Sequence, residues 1–292
     1  YIPLIALAVL LFAGGIYYAV SAQKDNDQNT IKQPASADQS NRSYNLQLTS
    51  ATDNIRPGQS TKISYKITNN RDEILKDFTI AHEKIMHFIL VRKDLQGFQH
   101  LHPDFNQSTG EFSVNVTFPT DGPYRIFPDF TPTHENPQKL TVTLNQDINV
   151  GDLSKYKPQA VVAETVTTKS ASEYDIDYYF GSTPRAGAQL DYGLTVSDPK
   201  ANEQTQLEPY LGAMGHSVII KEGSLDFIHT HAVGMDMAGM EGMSSAEHAG
   251  HMPEPDTVDF SATFPEEGVY KIFTQFQVRG KVVTSDYVIK VN

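Results

Sequence analysis

The sequence predicts an all-β protein with two tandem antiparallel β-sandwich domains, an internal repeat that follows an N-terminal transmembrane helix. Short apolar runs rich in β-branched and aromatic residues alternate with turn residues, whereas helical periodicity is largely absent. Roughly seven such runs occupy residues 44–150, and roughly seven more occupy residues 173–292. Seven short strands in a segment of this length are typical of an antiparallel sandwich.

A histidine pattern occurs once in each predicted domain. A lone histidine is followed by a turn and then by a His-x-His pair, with the same spacing in both copies. Residues i and i+2 of a strand share a face, and a turn centred on Asp94-Leu95 would place the lone histidine opposite the second member of the pair. Three imidazoles would then converge on one metal ion in each repeat. The predicted ligands are His87, His100 and His102 in the first repeat and His216, His229 and His231 in the second.

The alternative for any one of these histidines is a polar surface group or a hydrogen-bonded core residue. The third histidine at matched spacing favours the metal site over that alternative. A second repeated block, from Phe118 to Phe127 and from Phe264 to Phe273, is sufficiently explained as a strand, a glycine turn and a strand with core aromatics.

The chain carries a formal net charge of -12, which argues against nucleic acid as a partner. It has no cysteine, so a disulfide, a thiolate site and a blue-copper centre are all excluded. Residues 1–22 are almost entirely apolar and predict a transmembrane anchor through residues 1–20, or a signal segment that is cleaved. Residues 23–43 predict a disordered tether, and residues 151–172 a connector between the domains.

The second domain carries a methionine- and histidine-rich loop at residues 233–254. Glycine, alanine and acidic residues separate the methionines, which favours a solvated loop over a packed core element. Exposed thioethers suit a soft metal such as Cu(I), and an inert flexible loop is the alternative. The predicted loop ligands are Met235, Met237, Met240, Met243, His248, His251 and Met252.

The chain resembles the bacterial extracytoplasmic copper-handling proteins of the CopC-like and YtkA-like kind, which have an immunoglobulin-like (Ig-like) sandwich. The local match is closest over Leu211-Gly-Ala-Met-Gly-His216 and the following pair, whereas Ala81-His-Glu-Lys-Ile-Met-His87 departs from the glycine-rich form. His82 and His134 have no counterpart in the second repeat, and the sequence leaves open whether they are ligands or surface residues.

Three functions follow from these features. A membrane-tethered copper buffer, chaperone or resistance protein agrees best with them, with a copper transporter or another membrane protein as its partner. The domains would then lie outside the cytoplasm, at the cell membrane if the anchor is retained, or secreted or periplasmic if it is cleaved. Zinc also accepts three histidines, so it stays a candidate beside Cu(I) and Cu(II). The alternative is an Ig-like interaction module without a metal. The third is a metalloenzyme, in which a three-histidine site with an open position activates water. No nucleophile motif or phosphate loop is evident, so no enzyme is expected.

Overall fold

The computed structural model describes residues 44–133, 139–233 and 254–292. These residues form nineteen β-strands and one 3₁₀ turn at Leu153–Lys155, so the predicted all-β class is confirmed. Within the described ranges no helix is long and apolar enough to cross a membrane. The predicted anchor, the tether, His134 and the loop ligands from Met235 to Met252 lie outside the described residues.

The first sandwich consists of two antiparallel sheets. One has the strand order β1-β2-β7-β6, and the other has the order β10-β8-β4-β5, with β3 and β9 paired to β8. The ten strands are β1 (Tyr44–Leu48), β2 (Ser60–Asn69), β3 (Phe78–Thr79), β4 (His87–Arg92), β5 (Gln99–Leu101), β6 (Asp104–Asn106), β7 (Glu111–Thr117), β8 (Gly122–Pro132), β9 (Val142–Thr143) and β10 (Gln146–Val150).

The second sandwich repeats this plan. Its sheets have the orders β11-β12-β13-β17 and β14-β18-β15-β16, and β19 pairs with β18. The nine strands are β11 (Thr168–Ala171), β12 (Tyr174–Phe180), β13 (Gln189–Ser197), β14 (Leu207–Glu208), β15 (His216–Lys221), β16 (Phe227–His231), β17 (Thr257–Thr263), β18 (Gly268–Val278) and β19 (Lys281–Val291).

The strand order is that of an Ig-like sandwich. In the first repeat, β1-β2-β7-β6 takes the places of strands A, B, E and D, and β10-β8-β4 takes those of G, F and C. In the second repeat, β19-β18-β15 occupies the G, F and C places. The histidine-bearing hairpins β4-β5 and β15-β16 are therefore equivalent elements.

Each sandwich has its own core between its two sheets. In the first, the Tyr65 ring lies between Phe88 and Phe112, with ring centroids 5.7 and 5.5 Å away. The second core is built around Tyr192, which stacks on Phe260 at 5.4 Å. Fully buried aromatic side chains of this size contribute much of the hydrophobic stabilisation of such a domain.

A third core joins the two repeats, which belong to one compact unit, Ala35–Asn292. The apolar residues that alternate with the core residues of β4 and β15 face the other repeat rather than solvent, so both strands are buried on both faces. Two aromatic stacks flank this interface, Phe98 on Phe273 at 4.3 Å and Phe127 on Phe227 at 5.0 Å. Its buried members are Ile89, Val91, Leu95, Phe127, Val218, Ile220, Leu225 and Phe273.

Two details differ from the sequence analysis. Strand β11 lies inside the predicted connector and pairs with β12, so the second sandwich begins before residue 173. Phe127 and Phe273, which we interpreted as core residues of their own domains, pack in the interface between the repeats. The second detail has no local sequence signal, because it depends on contacts between distant strands, whereas β11 pairs with the strand that directly follows it.

Candidate metal centre

A tight turn precedes the lone histidine in each repeat. Ala81 and Lys84 form a bridge across one turn, and Tyr210 and Ala213 form a bridge across the other. The two central residues of each turn have positive φ, as a type I′ turn requires: 49° and 63° in the first, 52° and 72° in the second. In the second repeat glycine takes one of the two positions, whereas the first repeat places His82 and Glu83 there. The glycine-poor form of the first repeat therefore has the same backbone geometry.

These turns orient the lone histidines. The Nε2 of His87 lies 3.2 Å from the Ala81 carbonyl oxygen, and the Nε2 of His216 lies 2.9 Å from the Tyr210 carbonyl oxygen. A carbonyl oxygen only accepts, so Nε2 carries the proton and donates it in both rings. The lone pair of each ring is therefore on Nδ1, which points into the histidine cluster.

The pairing register of each hairpin positions its His-x-His pair. His216 pairs directly with His231, and the register that pairs Phe88 with Leu101 carries His87 opposite His102. The predicted pairing of the lone histidine with the second member of each pair is therefore confirmed.

The first histidine of each pair is oriented by the other repeat. The His100 Nδ1 donates to the Gln275 side-chain oxygen at 2.8 Å, and the His229 Nδ1 donates to the Asp129 carboxylate at 2.9 Å. Their remaining ring nitrogen is Nε2 in both cases. The two repeats thus present the same candidate ligand atoms from these rings, Nδ1 of the lone histidine and Nε2 of the first member of the pair. Hydrogen bonds of this kind fix the tautomer and orientation of metal-binding histidines.

The candidate ligand atoms converge within each repeat. The first triad is His87, His100 and His102, and the second triad is His216, His229 and His231. In each triad one nitrogen from every ring lies within 4.8 Å of the others. His87 Nδ1 and His100 Nε2 are 2.9 Å apart, a few tenths of an ångström below the separation of about 3.3 Å between nitrogens bound tetrahedrally to one ion at about 2.0–2.1 Å. The expected convergence of each triad is confirmed, and metal binding itself stays a prediction.

Three of these nitrogens are buried without any hydrogen-bond partner in the described part of the chain: His102 Nε2, His216 Nδ1 and His231 Nε2. An unpartnered buried polar group costs about 1–3 kcal/mol of stability. His216 Nδ1 is one of the nitrogens that the tautomer argument assigns as a ligand atom, and His102 and His231 complete the two triads. The residues present therefore fit a metal ion, whose bonds would satisfy these atoms.

Burial keeps the cluster neutral. Desolvation lowers the pKa of His87 and of His216 to about 4, and that of His100 and of His102 to about 3. Desolvation also raises the pKa of Asp129 to about 6, which leaves it a carboxylate at neutral pH. Neutral imidazoles are the form that binds metal ions.

The two triads lie against each other across the interface. The centroids of His87 and His229 are 5.3 Å apart, and those of His100 and His229 are 5.7 Å apart. His82 adds a seventh ring from the first repeat, stacked on His231 at 3.6 Å and 5.5 Å from His216. The sequence predicts one separate site in each repeat, and nothing in it indicates this contact.

Asp129 and Gln275 are functional candidates that the sequence analysis missed. Each lies two residues after an interface phenylalanine, Phe127 or Phe273, and therefore on the same face of its strand. A polar residue at that position of a buried strand is the signal that would have identified them.

The fold and the site together define a two-domain β-sandwich protein with a buried histidine cluster between its domains. The chain belongs to the family described as a domain of unknown function, DUF8832, whose model matches residues 38–147 and 168–292. The first matched segment covers the first sandwich as far as the start of β10, and the second covers the whole second sandwich. No curated protein matches the chain.

Several solved structures are similar over most of the chain. A mutant of Salmonella alpha-2-macroglobulin is 12% identical over 85% of this chain with a TM-score of 0.26, and the match spans only 15% of that structure. The fibronectin(III)-like modules of Clostridium thermocellum CbhA are 8% identical over 85% of this chain and 93% of theirs, with a TM-score of 0.20. Chimeric titin Z1Z2 is 13% identical over 86% of this chain and 97% of its own, with a TM-score of 0.19. Likenesses this distant do not bear on function.

Proposed function

We propose that this protein binds copper outside the cytoplasm, as a membrane-tethered buffer, chaperone or resistance protein. One observation carries the proposal: three buried histidine nitrogens, which have no hydrogen-bond partner among the described residues, belong to two convergent triads. A structural role for the histidines does not account for these nitrogens, because each one costs stability unless something binds it. An interaction module would have no need of them.

The donor set favours copper or zinc. Every candidate ligand of the two triads is an imidazole, and hard cations such as Mg²⁺ and Ca²⁺ take oxygen ligands instead. Imidazole accepts Cu(I), Cu(II) and zinc. The resemblance of the histidine segments to bacterial copper-handling proteins supports copper.

The cellular setting of the proposal comes from the sequence. The apolar run at residues 1–20 would tether the domains to the outer side of the membrane, or would be cleaved on export. A transporter or another membrane protein would then be the donor or acceptor of the ion. Labelling of the chain in intact cells with a membrane-impermeant reagent tests this location, and labelling only after lysis would contradict it.

The methionine- and histidine-rich loop would serve as an auxiliary Cu(I) site beside the second triad. It follows β16, which carries His229 and His231, by only a few residues along the chain. Replacing Met235, Met237, Met240 and Met243 with leucine keeps the apolar volume and removes the sulfur. Weaker Cu(I) binding with little loss of Cu(II) binding is expected, and unchanged Cu(I) affinity would reduce the loop to a linker.

The main test is a metal titration of the full chain, with Cu(I), Cu(II) and Zn(II) in competition with chelators of known affinity. The double variant His102→Gln/His231→Gln removes one ligand from each triad at its more exposed position. Removal of a group that only supports a metal ligand lowers metal affinity about 10–100-fold. We expect the double variant, which removes ligands themselves, to lose more affinity than that. Gln99→Ala is the matched control, since Gln99 lies on the same strand as His100 and its side chain points to the opposite face.

The same titration separates the alternatives. Equal affinity of the wild type and the double variant would refute the metal-binding proposal and leave the interaction module. Preference for Zn(II) over both copper ions would keep the triads as metal sites and remove copper from the proposal.

A further inference from the structure

We infer that the two triads bind two metal ions as one dinuclear centre shared by both repeats, in place of one independent site in each. The inference rests on the proposed metal-binding function and assigns the arrangement of the ions. It depends on the described contacts across the interface between the two sandwiches.

Each triad has its three histidines in one repeat but depends on the other repeat to orient one of them. His100 of the first repeat is oriented by Gln275 of the second, and His229 of the second repeat is oriented by Asp129 of the first. Asp129 and Gln275 occupy equivalent positions in β8 and β18, so the exchange is reciprocal. An isolated repeat would lose the group that holds one of its three imidazoles, and such groups strongly affect metal affinity.

The spacing between the triads is the same as the spacing within them. Within a triad, the centroids of His87 and His102 are 5.1 Å apart, and those of His216 and His229 are 6.0 Å apart. Between the triads, His87 and His229 are 5.3 Å apart, and His100 and His216 are 6.0 Å apart. Two ions held by these rings would therefore be near neighbours with no protein layer between them.

The apolar interface closes the centre on one side. The aromatic stacks Phe98–Phe273 and Phe127–Phe227 lie next to the histidines along the same strands and exclude water from that direction. The histidines nearest the interface are the most buried, with His216 only 1% exposed, whereas His102 and His231 are partly exposed. Ions would therefore enter past the partly exposed pair.

His82 makes the centre asymmetric. It belongs to the first repeat but stacks on His231 of the second triad, whereas leucine, Leu211, holds the equivalent turn position in the second repeat. The His82 ring is therefore closer to the second triad than to the first, whose nearest ring, that of His87, is 6.5 Å from it. A three-histidine site keeps an open position for a further ligand, whereas a four-histidine site is closed.

The test uses the full 292-residue chain loaded with two equivalents of Cu(II), which is paramagnetic, and combines metal analysis with electron paramagnetic resonance. We expect two copper ions per chain and loss of the sharp mononuclear signal, through broadening by the neighbouring ion or through pairing of the two spins. His102→Gln, at the partly exposed edge, should bind one ion and recover a mononuclear signal of full intensity. His231→Gln should do the same with the other ion.

Each other outcome overturns the inference in a recognisable way. Two ions per chain that give the sum of two isolated mononuclear signals would show independent sites and would leave the proposed function intact. One ion per chain, lost in both single variants, would show a single shared site. Absence of bound copper, with Zn(II) also unbound, would refute the proposed function itself.

Discussion

Asp129→Asn tests whether one repeat supports the metal site of the other. The Asp129 carboxylate accepts from His229 Nδ1 at 2.9 Å and from the Thr143 hydroxyl at 2.6 Å, and it is only 4% exposed. The substitution keeps the volume and an acceptor oxygen but removes the charge. Gln275 fills the equivalent position with a neutral amide, so the variant should fold.

The expected loss follows from the strength of the hydrogen bond. Hydrogen bonds to charged groups contribute about 1.5–3 kcal/mol and neutral ones about 0.5–1.5 kcal/mol. Neutralising the acceptor therefore weakens the hydrogen bond that orients the His229 imidazole by about 1–1.5 kcal/mol. This corresponds to about a tenfold loss of metal affinity, the lower end of the about 10–100-fold range for groups that support metal ligands. The loss should fall on the second triad, although Asp129 belongs to the first repeat.

Two single-histidine variants allow the metal affinity of each triad to be measured separately. In His102→Gln only the second triad is complete, and adding Asp129→Asn should weaken Cu(I) or Zn(II) binding about tenfold in chelator competition. In His231→Gln only the first triad is complete, and the same substitution should leave affinity within about twofold. Equal losses in both backgrounds would indicate a general effect on the fold, and no loss in either would refute the cross-repeat support.

Two further predictions concern the metal-free protein and the seventh histidine. Burial lowers the pKa of His87 and His216 to about 4, so the unfolded state takes up protons before the folded state does as the pH falls below about 6.5. Each such histidine therefore lowers the free energy of unfolding of the apo protein by about 1.4 kcal/mol per pH unit down to about pH 4. Asp129, whose pKa is raised, opposes this trend between about pH 6 and 4. A urea-unfolding midpoint that stays constant from pH 7 to 5 would contradict the predicted net loss of stability. His82→Leu should weaken binding at the second triad alone by about tenfold or more without unfolding the turn, because Leu211 occupies the same positive-φ position in the second repeat. An equal loss at both triads, measured in the single-triad backgrounds, would count against a local role of His82.

The sequence by itself determined the local architecture. Alternating apolar runs and turn residues predicted two antiparallel sandwiches, since side-chain periodicity is a property of each strand alone. The convergence of each triad was also predictable, because the spacing from His87 to His102 and from His216 to His231 lies within one hairpin, whose register follows from its turn.

Only the tertiary structure decided how the two triads relate to each other. His229 and Asp129 are 100 residues apart in the chain, and His100 and Gln275 are 175 apart, so no local pattern links them. The apolar run of β4 is compatible with one buried face or with two, and the choice depends on the presence of the second sandwich. His82 illustrates the same limit: its turn is local, but its contact with His231 exists only because the apolar faces of the two repeats pack together and exclude water.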